Sequence, residues 1–120
     1  MLRIDIQSVN TVASLVCSGR LVFGVETETL RTMVQSRHEE NIRIDLSAVD
    51  KIDASGLGLL VELQVWAREE QRKITLVNLS ENVWRLVILT RLYAALELSY
   101  SDVPALSHDR KDFEANEMIA

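Results

Sequence analysis

The stretch Ile42-Arg43-Ile44-Asp45-Leu46-Ser47-Ala48-Val49-Asp50-Lys51-Ile52-Asp53-Ala54-Ser55-Gly56-Leu57-Gly58 decides the fold. Asn41 to Leu46 alternates apolar and polar side chains, the period of a strand buried on one side. Ser47 to Asp50 has the composition of a turn. Beyond the glycines, apolar residues recur at helical spacing from Leu59 to Glu70 with no breaker. A short polar turn therefore joins a strand to a helix. That junction is where an α/β fold exposes backbone N–H groups and places functional side chains. Ser55 is the hydroxyl so placed.

Towards the N-terminus, Leu2 to Ile6 alternates as a half-buried strand, and Ser8-Val9-Asn10 supplies a turn in which Asn10 tolerates an irregular φ. Thr11 to Cys17 is small and β-branched, which predicts a second strand antiparallel to the first, ended by Gly19. Arg20 to Gly24 reads as a loop. Its Val22 and Phe23 either return to the core or form a contact surface. Val25 to Glu40 predicts a helix with Leu30, Met33 and Val34 inward and Glu26 and Glu28 in the first turn, where acids suit the dipole.

After the central turn, the helix buries Leu57, Leu60, Val61, Leu63 and Ala67, with Leu59 and Trp66 near the edges of the arc. Ile74 to Leu79 is a strand reached by a crossover, hence parallel to Ile42–Leu46. Ser80 caps a last helix, Glu81 to Thr90, with Val83, Leu86, Val87 and Leu89 inward. Trp84 and Ile88 are drawn outward. They mark either a helix buried more broadly than this or an apolar patch for a partner or a second copy. Tyr93 to Leu98 is a short strand or a closing segment. The expected fold is α/β, a mixed sheet of four to five strands with helices mainly on one face. Residues 1–101 form one domain, and 102–120 a loosely ordered tail.

Bulk numbers narrow the function. A chain of 120 residues holds a single core, and 48% apolar with 26% charged residues is globular composition. A net charge of −5 without a basic run argues against a nucleic-acid partner. No apolar run approaches the roughly 20 residues that span a bilayer. Asp5 interrupts the start where a secretory signal is apolar, so a cytoplasmic protein is expected. Cys17 is the only cysteine, and His38 and His108 lie far apart, so neither a disulfide nor a metal or other cofactor is expected.

At the turn itself, Asp53 or Ser55 is a suitable helix N-cap, and Gly56 and Gly58 suit a close approach of backbones. The same geometry tolerates an added phosphate on Ser55, since the helix dipole and free N–H groups stabilise anions. Catalysis is disfavoured, because no G-x-S-x-G elbow surrounds Ser55 and neither histidine is set beside it. Gly56-Leu57-Gly58 is only a fragment of a nucleotide-binding loop.

Ile44 to Gly58 resembles the hallmark D-L-S-x-V-x-x-I-D-S-S-G-L of STAS domains, in particular those of bacterial anti-sigma factor antagonists. Gly19-Arg20-Leu21 resembles the family's G-x-L, and Leu76-Val77-Asn78-Leu79-Ser80 through Leu92 its L-V-N-x-S segment. The resemblance covers about residues 2–100. It implies a phosphorylatable serine at Ser55 with Asp53 as the neighbouring acid. It implies as partners an anti-sigma factor that is a GHKL-type serine kinase, and a PP2C-type phosphatase. The contact surface would run over Asp53, Ala54, Ser55, Gly56, Leu57, Gly58, Glu62 and Trp66, with Val22, Phe23, Trp84 and Ile88 as further interface residues. The sequence departs from the pattern at Ala54, which replaces the first serine of the pair, and at Val22 and Phe23, where the family has an acid. It departs also at Arg91, where a glycine commonly ends the last helix, and at Trp84 and Ile88, which are often charged. Phosphorylation would switch off binding to the anti-sigma factor. The alternative is an unmodified STAS scaffold in a signalling or lipid-transport assembly.

Overall fold

The computed structural model describes residues 1–99; the expected tail at 102–120 lies outside the described residues. Four strands and three helices follow one another as β1 (Leu2–Val9), β2 (Val12–Leu21), α1 (Val25–Gln35), β3 (Asn41–Ile52), α2 (Ala54–Glu69), β4 (Lys73–Val77) and α3 (Glu81–Thr90). The sheet order is β1-β2-β3-β4, antiparallel in the first pair and parallel in the other two. The mixed four-stranded α/β sheet agrees with the sequence expectation. Asn10 turns the first hairpin at φ 56°. A 3₁₀ turn at Leu92–Ala95 and a single bridge between Leu98 and Leu76 close the described chain, so Tyr93 to Leu98 is a closing segment rather than a fifth full strand.

Ala13, Leu15 and Cys17 of β2, Ile42, Ile44 and Leu46 of β3, and Ile74 and Leu76 of β4 are buried in one cluster with residues of all three helices. The alternate positions Val16 and Arg43 face away from it and are exposed. Among the described residues, one face of the sheet thus carries the helices and the other is bare. Burial and the nearby Asp45 charge push the Cys17 thiol up to about 12.

Two strands run further than their local sequence suggests. β3 does not stop at Leu46 but continues to Ile52. The pairing with β2 advances from Val16↔Asp45 to Ser18↔Ala48, so β3 carries an extra residue there. Asp45 makes that bulge: its Oδ1 accepts from the Ser47 backbone N–H at 2.9 Å and from Ser47 Oγ at 2.7 Å. Its other oxygen accepts from Asn78 Nδ2 at 2.8 Å. The turn chemistry is real, yet it bends a strand instead of ending one. The bulge moves burial from the even positions, Leu46, to an odd one, Val49. Likewise β2 passes through Gly19, at φ 100°, to Leu21. A Cβ on Gly19 would stand 2.2 Å from the Met1 carbonyl oxygen.

α1 ends at Gln35 rather than Glu40. The residues that follow are held differently: Arg37 pairs with Glu39 at 2.7 Å, and Glu39 also accepts from Ser8 Oγ at 2.5 Å. These two donors lower the Glu39 carboxyl from 4.5 to about 2. α3 is rotated from the expected orientation: Val83, Trp84 and Val87 are buried and Leu89 is 73% exposed. Trp84, expected outward, is therefore core. Ile88 is half-buried against the same cluster.

Candidate functional site

The site forms where β3 runs out and α2 begins. Asp53, with φ −114° and ψ −177°, leaves the helix first turn extended and caps it: Oδ1 accepts from Gly56 N–H at 2.8 Å. Its Oδ2 accepts from Phe23 N–H at 3.0 Å, tying the exit of β2 to the start of α2. Burial alone would raise the Asp53 carboxyl, but donors from the Phe23, Gly56 and Ser55 backbones outweigh it and hold the group below the usual carboxylate range. The sequence left Asp53 and Ser55 as rival caps. Asp53 is the cap because it alone serves two chain segments.

Ser55 is thereby freed. It is the second residue of α2, it is exposed, and no described residue hydrogen-bonds its hydroxyl. Ala54 beside it is exposed as well. Gly56 faces inward: a Cβ there would stand 2.2 Å from the Leu21 carbonyl oxygen and 3.1 Å from Ile52 Cγ1. Gly58 differs, for no atom of the described residues lies within 4 Å of a Cβ at that position. The close approach expected of both glycines belongs to Gly56 alone. Leu57 is 1% exposed and sits in the core. Gly56 and Leu57 thus support the surface from beneath instead of presenting side chains to a partner, and Trp84 leaves the contact set for the same reason.

Glu62 lies on the exposed side of α2 and is gripped by Arg31, with Nε at 2.8 Å and Nη2 at 3.1 Å. Arg31 also bonds Glu28, so one guanidinium joins α1 to α2. Its hydrogen bonds to Glu62 and Glu28 raise the Arg31 pKa, and the Arg31 bond lowers that of Glu62. Trp66 is half-buried near the far end of α2, about 16 Å along the axis from Ser55. The Arg72 guanidinium carbon stands 5.3 Å from its ring centroid, a cation–π contact. Trp66 therefore does not join Ser55 in one compact patch.

On the other flank, Phe23 is 78% exposed and Val22 half-buried. Phe23, Val25, Thr29, Thr32 and Met33 line an open groove of about 660 Å³. Phe23 thus stays at the surface beside the Ser55 turn, whereas Leu21 just before it is fully buried. Sequence reasoning missed the Asp53–Phe23 link and the buried Gln64, whose Nε2 donates to the Ile74 carbonyl at 3.2 Å. An acid as the last residue before a helix was the available signal for the first; Gln64 gave none.

Comparison with known proteins places the fold. A putative anti-sigma factor antagonist of Thermotoga maritima, TM1081, superposes at a TM-score of 0.71 with 22% identity, over 82% of this chain and 89% of that one. SpoIIAA, an anti-sigma factor antagonist solved in its unphosphorylated form, gives 0.64 with 16% identity over 92% and 96%. The phosphorylated form of SpoIIAA from Bacillus gives 0.63 with 14% identity over 90% and 98%. A further match, to Mglu at 0.56 and 18% identity, covers 60% of this chain but spans only 18% of that longer one. At these identities the superpositions speak for the fold. The family model described as "Mlab, STAS domain" matches residues 26–98, which take in β3, the Ser55 turn and all three helices but for the first residue of α1. The chain belongs to the STAS-domain family.

Proposed function

We propose that the protein is a binding module of the anti-sigma factor antagonist type, switched off by phosphorylation of Ser55. The observation that carries this reading is the exposed Ser55 hydroxyl at the second position of α2, left without a hydrogen-bond partner among the described residues while Asp53 does the capping. The modified group would lie at the positive end of the helix dipole, so the domain would tolerate it. SpoIIAA, similar in fold, was solved in both unphosphorylated and phosphorylated forms, which supports the reading. On this proposal the partner is an anti-sigma factor that is also a GHKL-type serine kinase, a PP2C-type phosphatase reverses the mark, and the protein works in the cytoplasm without catalysing a reaction.

Docking would use Asp53, Ala54, Ser55, Gly58 and Glu62, flanked by Phe23. A phosphate adds about −1.5 to −2 charges. One additional like-charge pair at about 6 Å costs about 3 kcal/mol at an effective dielectric near 20, or roughly a hundredfold in affinity. Incubation with a co-encoded kinase and ATP, followed by intact mass, tests the reading. A gain of about 80 Da that disappears in Ser55→Ala supports it. No gain with any co-encoded kinase refutes it. The second reading, a STAS module that stays unmodified in a signalling or lipid-transport assembly, draws on the family model, whose description names Mlab.

A further inference from the structure

β1 is the outermost strand of the sheet, and no described strand pairs with its outer edge. The hairpin fixes which backbone groups look outward. Arg20 N–H donates to the Met1 carbonyl at 3.0 Å, which sets the odd-numbered residues of β1 at the hydrogen-bonded positions towards β2. By alternation, Arg3↔Ser18, Asp5↔Val16 and Gln7↔Ser14 are the hydrogen-bonded pairs, while Leu2, Ile4 and Ile6 turn their N–H and C=O groups to the outer edge. Their side chains lie on the helix-bearing side, facing Gly19, Cys17 and Leu15, and remain half-buried. Arg3 and Asp5 project from the bare side, with 77% and 63% of their side-chain surface exposed.

We propose that this edge binds a second copy of the chain, β1 against β1 in antiparallel register about Ile4, joining two sheets into one of eight strands. The sequence of the strand is complementary to itself in that register alone. Ile4 meets Ile4 and Leu2 meets Ile6, so the outward N–H and C=O groups pair and the apolar strip continues across the axis. On the opposite side, Arg3 of each copy stands across from Asp5 of the other. Sliding the strands by one register step sets Asp5 against Asp5 in one direction and Arg3 against Arg3 in the other, which repels. The two-fold arrangement is closed, so association stops at the dimer. The β1 edge is separate from the Ser55 turn, and the proposal stands whether or not Ser55 is modified.

Sedimentation equilibrium of the full chain, combined with amide exchange followed by nuclear magnetic resonance, tests the pairing. A concentration-dependent dimer is expected, in which the Leu2, Ile4 and Ile6 amides exchange more slowly as concentration rises. The Arg3 and Asp5 amides, already bonded to β2, are protected throughout. Asp5→Arg replaces two attractive pairs by two repulsive ones and is expected to weaken the dimer about tenfold. Combining it with Arg3→Asp restores complementarity and with it the dimer. A monomer at every concentration overturns the proposal. So does a dimer whose Ile4 amide stays fast, one that is indifferent to Asp5→Arg, or one that the double exchange fails to rescue.

Discussion

Replacing Gly56 and Gly58 by alanine, one at a time, has opposite consequences although the two glycines stand in the same helix two residues apart. Alanine in place of glycine in a helix gains about 1 kcal/mol from propensity. At Gly58 no described residue opposes that gain, since a Cβ meets none of their atoms within 4 Å. At Gly56 the new carbon would stand 2.2 Å from the Leu21 carbonyl oxygen, a backbone atom that cannot swing aside. Either α2 lifts from the end of β2 or the strand end moves. Forcing atoms into a packed site costs about 1–3 kcal/mol, and contact with backbone puts this case at or beyond the top of that range. The net expectation is that Gly56→Ala destabilises by about 2 kcal/mol and Gly58→Ala stabilises by about 0.5–1 kcal/mol. For a domain of this size, a loss of 2 kcal/mol lowers Tm by roughly 8 °C or more. Urea unfolding with a shared m-value measures both variants. Equal stability of Gly56→Ala and the unsubstituted protein, or a loss in Gly58→Ala, would refute the packing argument.

Asp53→Ala removes the acceptor for both Gly56 and Phe23 N–H groups and is expected to cost about 1–2 kcal/mol in urea unfolding, with Asp53→Asn losing less. Glu39 titrates lower in the folded chain than in the unfolded one. Its contribution is therefore complete above about pH 4.5 and fades as the pH falls towards about 2. The Tm difference between Glu39→Gln and the unsubstituted protein should follow that course. Cys17, buried with its thiol pushed up to about 12, is expected to resist thiol reagents at mildly alkaline pH until the chain unfolds. Labelling kinetics with a colorimetric disulfide reagent give the check. Ser55→Asp should leave Tm unchanged within about 0.5 kcal/mol of stability, since the side chain is exposed, while weakening partner binding.

Elements with a single strong period were legible from the chain alone. The alternation in Ile42–Leu46 and the cap at Ser80 each had one reading, and each matches the structure; the apolar arc beginning at Leu57 matches except that Leu59, expected at its edge, is buried and Val61, expected inward, is half-buried. What escaped depended on residues far away in sequence. β3 continues past Ser47 because β2 continues beside it, which the local Asp-Leu-Ser pattern cannot reveal. The inward side of α3 was ambiguous because Val83, Trp84, Leu86, Val87, Ile88 and Leu89 are apolar on nearly every side; tertiary packing chose Trp84 over Leu89. At the site, Ser55 and its turn were visible, but the choice of cap was made by Phe23, thirty residues upstream.

The Asp53 carboxylate holds the Phe23 loop with one oxygen and the first turn of α2 with the other, and both bonds exist in the free chain. A surface fastened in this way meets whatever docks on it already in shape. Little ordering entropy is then left to lose on contact. Association should accordingly proceed at the pace of diffusional encounter and orientation, with no slow rearrangement beforehand. Cutting that tether would show itself first as a slower on-rate.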